Sequence, residues 1–122
     1  MKARRGIVLF AHGSRDARWR APVEAVAARI GELDPAVAVR CAYLEAATPD
    51  LATAVDDLAA AGVEAIDVLP IFLGVGKHLR EDLPRLLETL QQARPALAFT
   101  LRPVVGETTE LIELLAKIAL QN

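Results

Sequence analysis

Four βα units within 122 residues predict a three-layer α/β fold around a four-stranded parallel sheet. Three observations carry that prediction. Short apolar runs recur at four places, and the first, Gly6 to Ala11, is continuous, as a strand covered on both faces should be. Stretches with apolar residues at helical spacing follow each run. Proline, glycine and acidic residues punctuate the joins. The expected strand order is 2-1-3-4, which puts the switch point between strands one and three, where open sheets bind ligands. Helices on both faces and right-handed crossovers complete the expectation.

Taken in order, Asp16 or a neighbour opens the first helix, which runs to about Leu33. Val23, Val26, Ala27 and Ile30 share one of its faces, and Asp34-Pro35 stops it. Val37 to Leu44 reads as the second strand. Thr48-Pro49-Asp50 reads as a helix start, with threonine as N-cap, proline at the first helical position and an acid in the first turn. That helix carries Leu51, Val55, Leu58 and Ala59 and takes Gly62 as its C-cap. The third strand spans about Glu64 to Leu69, and Pro70 marks its end or a bulge.

The loop Leu73-Gly74-Val75-Gly76-Lys77 then leads to His78. The third helix lines up Leu79, Leu83, Leu86, Leu87 and Leu90 on one side. A proline kinks a helix interior, so Pro84 is expected in the first turn of the regular helix. Arg94-Pro95 ends that helix, and Leu97 to Arg102 is the fourth strand. The last helix starts near Glu107. Its apolar set, Leu111, Ile112, Leu114, Leu115 and Ile118, is broad enough to cover more than one surface.

Composition narrows the class. The chain reads as one domain, residues 1–122, long enough to bury a core. A net charge of −2 makes no electrostatic case for nucleic acid or a membrane surface, and 4% aromatic residues leave little for base stacking. No run is long enough to span a bilayer. Lys2, Arg4 and Arg5 precede an apolar run, but that run ends within about six residues, too short for a signal peptide. The single cysteine, Cys41, excludes an intramolecular disulfide and points to a reducing, cytoplasmic setting.

The chain has only two histidines, and each follows a predicted strand. His12 comes directly after the first run; His78 follows the third run and its glycine loop. On adjacent strands of an open sheet, both imidazoles belong to one crevice. Gly13 lets the backbone approach a substrate closely, and Ser14 and Arg15 add a hydroxyl and a cation at the mouth. The glycines of Gly74-Val75-Gly76 allow unusual backbone angles near a bulky ligand. Glu45, at the end of the second strand's run, lies on the same sheet edge. Arg15, Arg18, Arg20, Lys77 and Arg80 flank the histidine loops and suit an anionic substrate. Trp19, one turn into the first helix, reads as a packing residue.

Other chemistries fit poorly. Leu79 stands where a dinucleotide fingerprint needs its third glycine. Ile71 and His78 break the pattern of a phosphate-binding P-loop. No nucleophile elbow or cysteine zinc spacing is present. Imidazole binds first-row divalent ions and exchanges protons near neutral pH. Two imidazoles hold an ion weakly beside a closed four-ligand site, which suits an ion that is to be handed on.

Three blocks carry a resemblance to a known family: Ala11-His12-Gly13-Ser14-Arg15, Tyr43-Leu44-Glu45, and Leu69-Pro70-Ile71-Phe72-Leu73 followed by Gly76-Lys77-His78-Leu79-Arg80-Glu81-Asp82-Leu83-Pro84. In this order they resemble the CbiX/SirB class II chelatases, over nearly the whole chain. The resemblance implies a chelatase fold and ATP-independent insertion of cobalt, iron or nickel into sirohydrochlorin, in cobalamin or sirohaem biosynthesis. It implies His12 as metal ligand and proton acceptor and His78 as metal ligand, both catalytic. It also implies macrocycle contacts around Glu45 and from Leu73 through Gly74, Val75 and Gly76 to Lys77, with Ser14 and Arg15 beside them. The metal would be a substrate, with no tightly bound cofactor. Short members act as homodimers, and the broad apolar final helix fits such an interface as well as it fits core packing. Two rivals use the same residues: a tetrapyrrole or metal carrier without turnover, and a phosphoryl transferase like the histidine phosphatases. Ala11 stands where the second rival needs an arginine.

Overall fold

The computed structural model describes residues 4–122; Lys2, of the basic N-terminal cluster, lies outside them. The sheet contains β1 (Arg5–Ala11), β2 (Ala38–Tyr43), β3 (Ala65–Pro70) and β4 (Ala98–Leu101). The helices are α1 (Ala17–Leu33), α2 (Leu51–Ala60), α3 (Lys77–Ala93) and α4 (Thr109–Leu120), with a 3-10 turn at Val105–Glu107 before the last. Strand order is β2-β1-β3-β4 and every pairing is parallel, as expected.

Strand alternation sorts the side chains into two cores. Val8, Phe10, Ile66 and Val68 point to the α2/α3 side, where they meet Val55, Leu58, Leu83 and Leu87. Leu9, Ala11 and Tyr43 point the other way and meet Val23 of α1. Val8, Leu9, Leu58 and Ile66 have no exposed surface. Each such side chain contributes about 1.5–3 kcal/mol of burial, which is what fixes the register of the central strands.

The helix ends correct the sequence reading in detail. Asp16 caps α1 as expected, accepting the Arg18 N–H at 2.9 Å. The cap of α2 is Asp50 and not Thr48: its carboxylate accepts the Thr53 N–H at 2.9 Å, while Pro49 stays outside the helix behind a cis peptide bond. A carboxylate one residue before the first turn reaches the free amides better than a threonine two residues further back. At the other end of α2, Ala61 is the cap and Gly62 follows it, with φ +89°. Pro84 lies well inside α3 and not in its first turn. The helix begins as early as Lys77, and both Pro84 and Arg80, whose carbonyl loses its donor to the proline, are exposed residues. The final helix starts at Thr109, capped by Thr108, because residues 105–107 take the tighter turn first. Trp19 is not a packing residue: 47% of it is exposed.

Candidate functional site

His12 directly follows β1, and Glu45 follows β2 by two residues. The two loops are stitched together by backbone bonds: the Leu44 N–H donates to the Ala11 carbonyl at 2.9 Å, and the Glu45 N–H to the His12 carbonyl at 3.0 Å. This closeness depends on Gly13. Its φ is +105°, and a Cβ there would lie 1.8 Å from the Glu45 carbonyl oxygen. Glycine is therefore required here to pack two loops, a different reason from the substrate approach expected of it. Ala46, at φ +60°, carries the strained turn on the other side.

The loops bring His12 Nε2 to 3.0 Å from Glu45 Oε1, with both side chains more than half exposed. Phe72 meets the His12 ring edge-on, the centroids 6.3 Å apart, and holds the imidazole from the β3 side. Two donor atoms 3.0 Å apart can sit side by side on one cation at bond lengths of about 2.1 Å and a right angle between them. The same spacing lets the carboxylate accept a proton from the imidazole. Residue order puts Glu45 on the same sheet edge, and the family resemblance makes it a macrocycle contact; its direct pairing with His12 comes from the β1–β2 register, Ala11 opposite Tyr43.

His78 is the second residue of α3 and exposed. It lines a groove of about 460 Å³ with Leu44, Leu79 and Leu86, edged by Asp82 and Arg85. Leu44 and Leu86 also line a smaller groove of about 190 Å³ that continues over Phe10, Tyr43 and Leu51. Leu44, which lines both grooves, is joined in the chain to Glu45 of the His12–Glu45 pair. Among the described residues no three His, Cys, Asp or Glu side chains cluster closely enough to hold an ion, so His78 does not join that pair in a ready-made three-ligand cage.

The other expected contacts divide. Leu73 is 72% exposed, and Gly74, Gly76 and Lys77 are exposed with it. Neither Gly74 nor Gly76 takes a positive φ, so the loop does not use the unusual angles expected of it; Gly76 simply precedes α3 in extended backbone. Val75 turns inward against the core and lines a separate cavity with Pro70 and Arg80. The Ser14 hydroxyl accepts the Asp16 N–H at 3.1 Å and so belongs to the entry into α1. The basic edge shrinks: Arg18 pairs with Asp16, Arg20 donates to the Ser14 carbonyl, and Arg80 pairs with Glu107. The Arg80 hydrogen bond holds the Glu107 carboxyl below its ordinary value, and the Arg18 hydrogen bonds do the same for Asp16. Among the described residues, Arg15 and Lys77 are the flanking cations without such a carboxylate.

Gly106 was missed by the sequence reading. Its N–H donates to the Phe72 carbonyl at 2.9 Å, and a Cβ there would lie 1.7 Å from the Leu73 carbonyl oxygen. It seats the loop that leads to His78 against the turn before α4. A lone glycine far along the chain gives no signal of that contact.

Comparison with known proteins identifies the family and the fold. The model of the CbiX family matches residues 6–121. A sirohydrochlorin cobaltochelatase of Methanopyrus kandleri is 36% identical over 66% of this chain and 57% of its own length. One of Methanococcoides burtonii is 32% identical over 72% of this chain and 67% of its own. The crystal structure of a CbiX protein from Marinobacter aquaeolei superposes with a TM-score of 0.81 at 35% identity, covering 94% of this chain and 93% of that one. The sirohydrochlorin chelatase SirB from Bacillus subtilis, in complex with cobalt, shares the fold with a TM-score of 0.78 at 19% identity; this chain spans 49% of its length. With a match from the first strand through the last helix, the chain belongs to the CbiX family.

Proposed function

We propose that this protein is a sirohydrochlorin chelatase, inserting cobalt, iron or nickel into the macrocycle without ATP, for cobalamin or sirohaem synthesis. The observation that carries the reading is the His12–Glu45 pair, 3.0 Å apart, whose Glu45 is joined in the chain to Leu44 of the apolar groove that presents His78. The names of the similar cobaltochelatases support it. The whole of residues 1–122 acts as one chelatase domain.

The chemistry asks for few protein ligands. The divalent ion sheds water, and two pyrrole N–H protons leave as it enters the ring, so charge balances. The ring supplies four nitrogens to the ion, and a protein that held it by a closed set of ligands would not release it. His12 Nε2 is the entry ligand. One ring nitrogen cannot bind the ion and take a proton at once, so Glu45 serves as the proton's acceptor while His12 holds metal. Once the ion has passed on, His12 accepts the second proton. His78 supplies a ligand from the groove side. The apolar wall of Leu44, Leu79 and Leu86 takes the face of the macrocycle, and the exposed Leu73, Gly74, Gly76 and Lys77 of the loop before α3 meet its rim, while Val75 packs inward. Arg15 and Lys77 remain to meet the eight carboxylates of sirohydrochlorin, with Ser14 bracing the Arg15 turn.

The working unit is a homodimer, a reading supported by the exposed apolar residues of α4. The free thiol of Cys41 fits a cytoplasmic setting. Insertion kinetics with cobalt, iron and nickel in turn test the proposal. Catalytic amounts of protein should accelerate insertion, His12→Ala should abolish it, and His78→Ala should weaken it strongly, both with the fold retained. Retained ligand binding without acceleration makes the protein a carrier instead.

A further inference from the structure

We infer that Arg85 of α3 is a specificity-determining residue, which takes a carboxylate at the rim of a macrocycle lying in the groove that presents His78. The inference rests on the chelatase reading and names a contact within it. The groove is built along one helix. His78, Asp82, Arg85 and Thr89 all line it, and at about 100° per residue their spacing puts them on one stripe of α3, within about 60° of one another. Leu79 and Leu86 occupy the neighbouring stripe, and Leu44, directly after β2, joins them in the lining. An apolar strip beside a polar strip fits a flat, apolar body with ionised edges.

The charge of Arg85 is unspent. Arg5, Arg18, Arg29, Arg40, Arg80 and Arg94 each hold a carboxylate of this chain. Arg85 is exposed and, among the described residues, forms no ion pair. Asp82 is three residues away on the same stripe, a spacing at which opposite charges can meet, yet the two are not paired. Arg80 lies nearer His78 in the chain, but Glu107 holds it and it lines a different cavity, with Val104 and Pro103. Arg85 is therefore the arginine that the His78 groove offers to an anion.

Its position suits the task. Seven residues of helix set Arg85 about 10 Å along the axis from His78. A macrocycle binds its ion at the centre and carries its carboxylates at the rim, so a metal ligand and a carboxylate ligand must stand apart by the radius of the ring. A cation beside His78 would repel the entering ion, whereas one two turns away is screened by water. Asp82, between them, repels an anionic rim that Arg85 attracts, and this fixes which way along α3 the ring edge lies. The planar guanidinium matches a carboxylate with two parallel N–H donors, and its apolar stem extends the wall that Leu86 begins.

Absorbance titration of metal-free sirohydrochlorin with the full chain tests this without requiring turnover. Arg85→Gln removes the charge at an exposed, unpaired position, so the fold stays, verified by far-UV circular dichroism. Arg29→Gln, on α1 and paired with Glu32, makes the same change in net charge away from the groove. Arg85→Gln should raise Kd for the macrocycle about 10-fold and make it less sensitive to salt, and Arg29→Gln should do neither. In insertion kinetics KM for the macrocycle should rise by the same factor while kcat and the KM for cobalt stay within about twofold, because Arg85 touches the rim and not the ion. Wild-type Kd and KM in Arg85→Gln overturn the proposal, as does a loss that Arg29→Gln shares or one confined to kcat. A wild type that binds sirohydrochlorin but inserts no metal ends the chelatase reading and leaves the Kd comparison to decide Arg85. A wild type that does not bind it overturns both.

Discussion

Replacing Gly13 by alanine tests the contact on which the His12–Glu45 geometry depends. The substitution adds one methyl group and no charge, yet it does two things. It places an L-residue at φ +105°, which costs about 1–2 kcal/mol. It also puts a Cβ 1.8 Å from the Glu45 carbonyl oxygen, where 3.0 Å is the practical minimum, so the two loops must part by about 1 Å. Parting them breaks the bond from the Glu45 N–H to the His12 carbonyl, worth about another 1 kcal/mol. The expected loss is therefore about 2–4 kcal/mol, or roughly 6–15 °C in Tm for a domain of this size. Calorimetry and urea unfolding at neutral pH measure it. Gly31→Ala is the matched control: that glycine sits in α1 with open space around it, and alanine there should stabilise by about 0.5–1 kcal/mol. Metal insertion should fall with Gly13→Ala and stay unchanged with Gly31→Ala. If Gly13→Ala matched the wild type in both stability and rate, the reasoning about the interlocked loops would be wrong.

Gly106→Ala should displace the loop before His78 by about 1 Å and cut insertion about 10- to 100-fold in steady-state assays; an unaltered rate would show that this loop does not position His78. Glu45→Gln keeps the hydrogen-bonding shape but removes the acceptor, so insertion should slow about 10- to 1000-fold while the circular dichroism spectrum is preserved. A rate at the wild-type level would assign the proton to another group. Acid titration of stability reads the helix caps. Hydrogen bonds from the Thr53 hydroxyl and N–H hold the Asp50 carboxyl below its ordinary value. A depressed folded pKa means that the stabilisation is complete above the unfolded value near 4 and is lost as pH falls through the folded value. Asp50→Asn should therefore lower Tm at pH 7 and flatten the decline on acidification; an unchanged acid limb would remove Asp50 from the account. Phe10→Ala, in a side chain 1% exposed, should cost about 3–5 kcal/mol by urea unfolding, and a loss below 1 kcal/mol would contradict the core described here.

Much of this molecule can be read from its residues in order, because local chemistry decides it. The continuous apolar run Gly6 to Ala11 is a strand buried on two faces wherever it occurs, and Asp16 caps the helix that follows because its carboxylate reaches the Arg18 amide. Four such units leave few topologies open, and the order β2-β1-β3-β4 sets His12 and the loop to His78 on one edge. Chain order was a weaker guide where two features competed for one role. Thr48 and Asp50 both resemble caps, and only the position of Pro49 against Tyr43 decides between them.

What lies across the chain was beyond reach of any local pattern. Glu45 meets His12 because neighbouring strands place their ends in register, and Gly106 meets Leu73 from more than thirty residues away. The arginines near the histidines looked like a basic edge until their carboxylate partners, Asp16 and Glu107, came into view. The final helix shows the division most plainly. Its residues dictate a helix with a broad apolar surface, but only the fold shows that it packs chiefly on the turn before it and buries none of its residues. Periodicity is a property of neighbours along the chain, whereas cover, register and charge pairing are properties of neighbours in space.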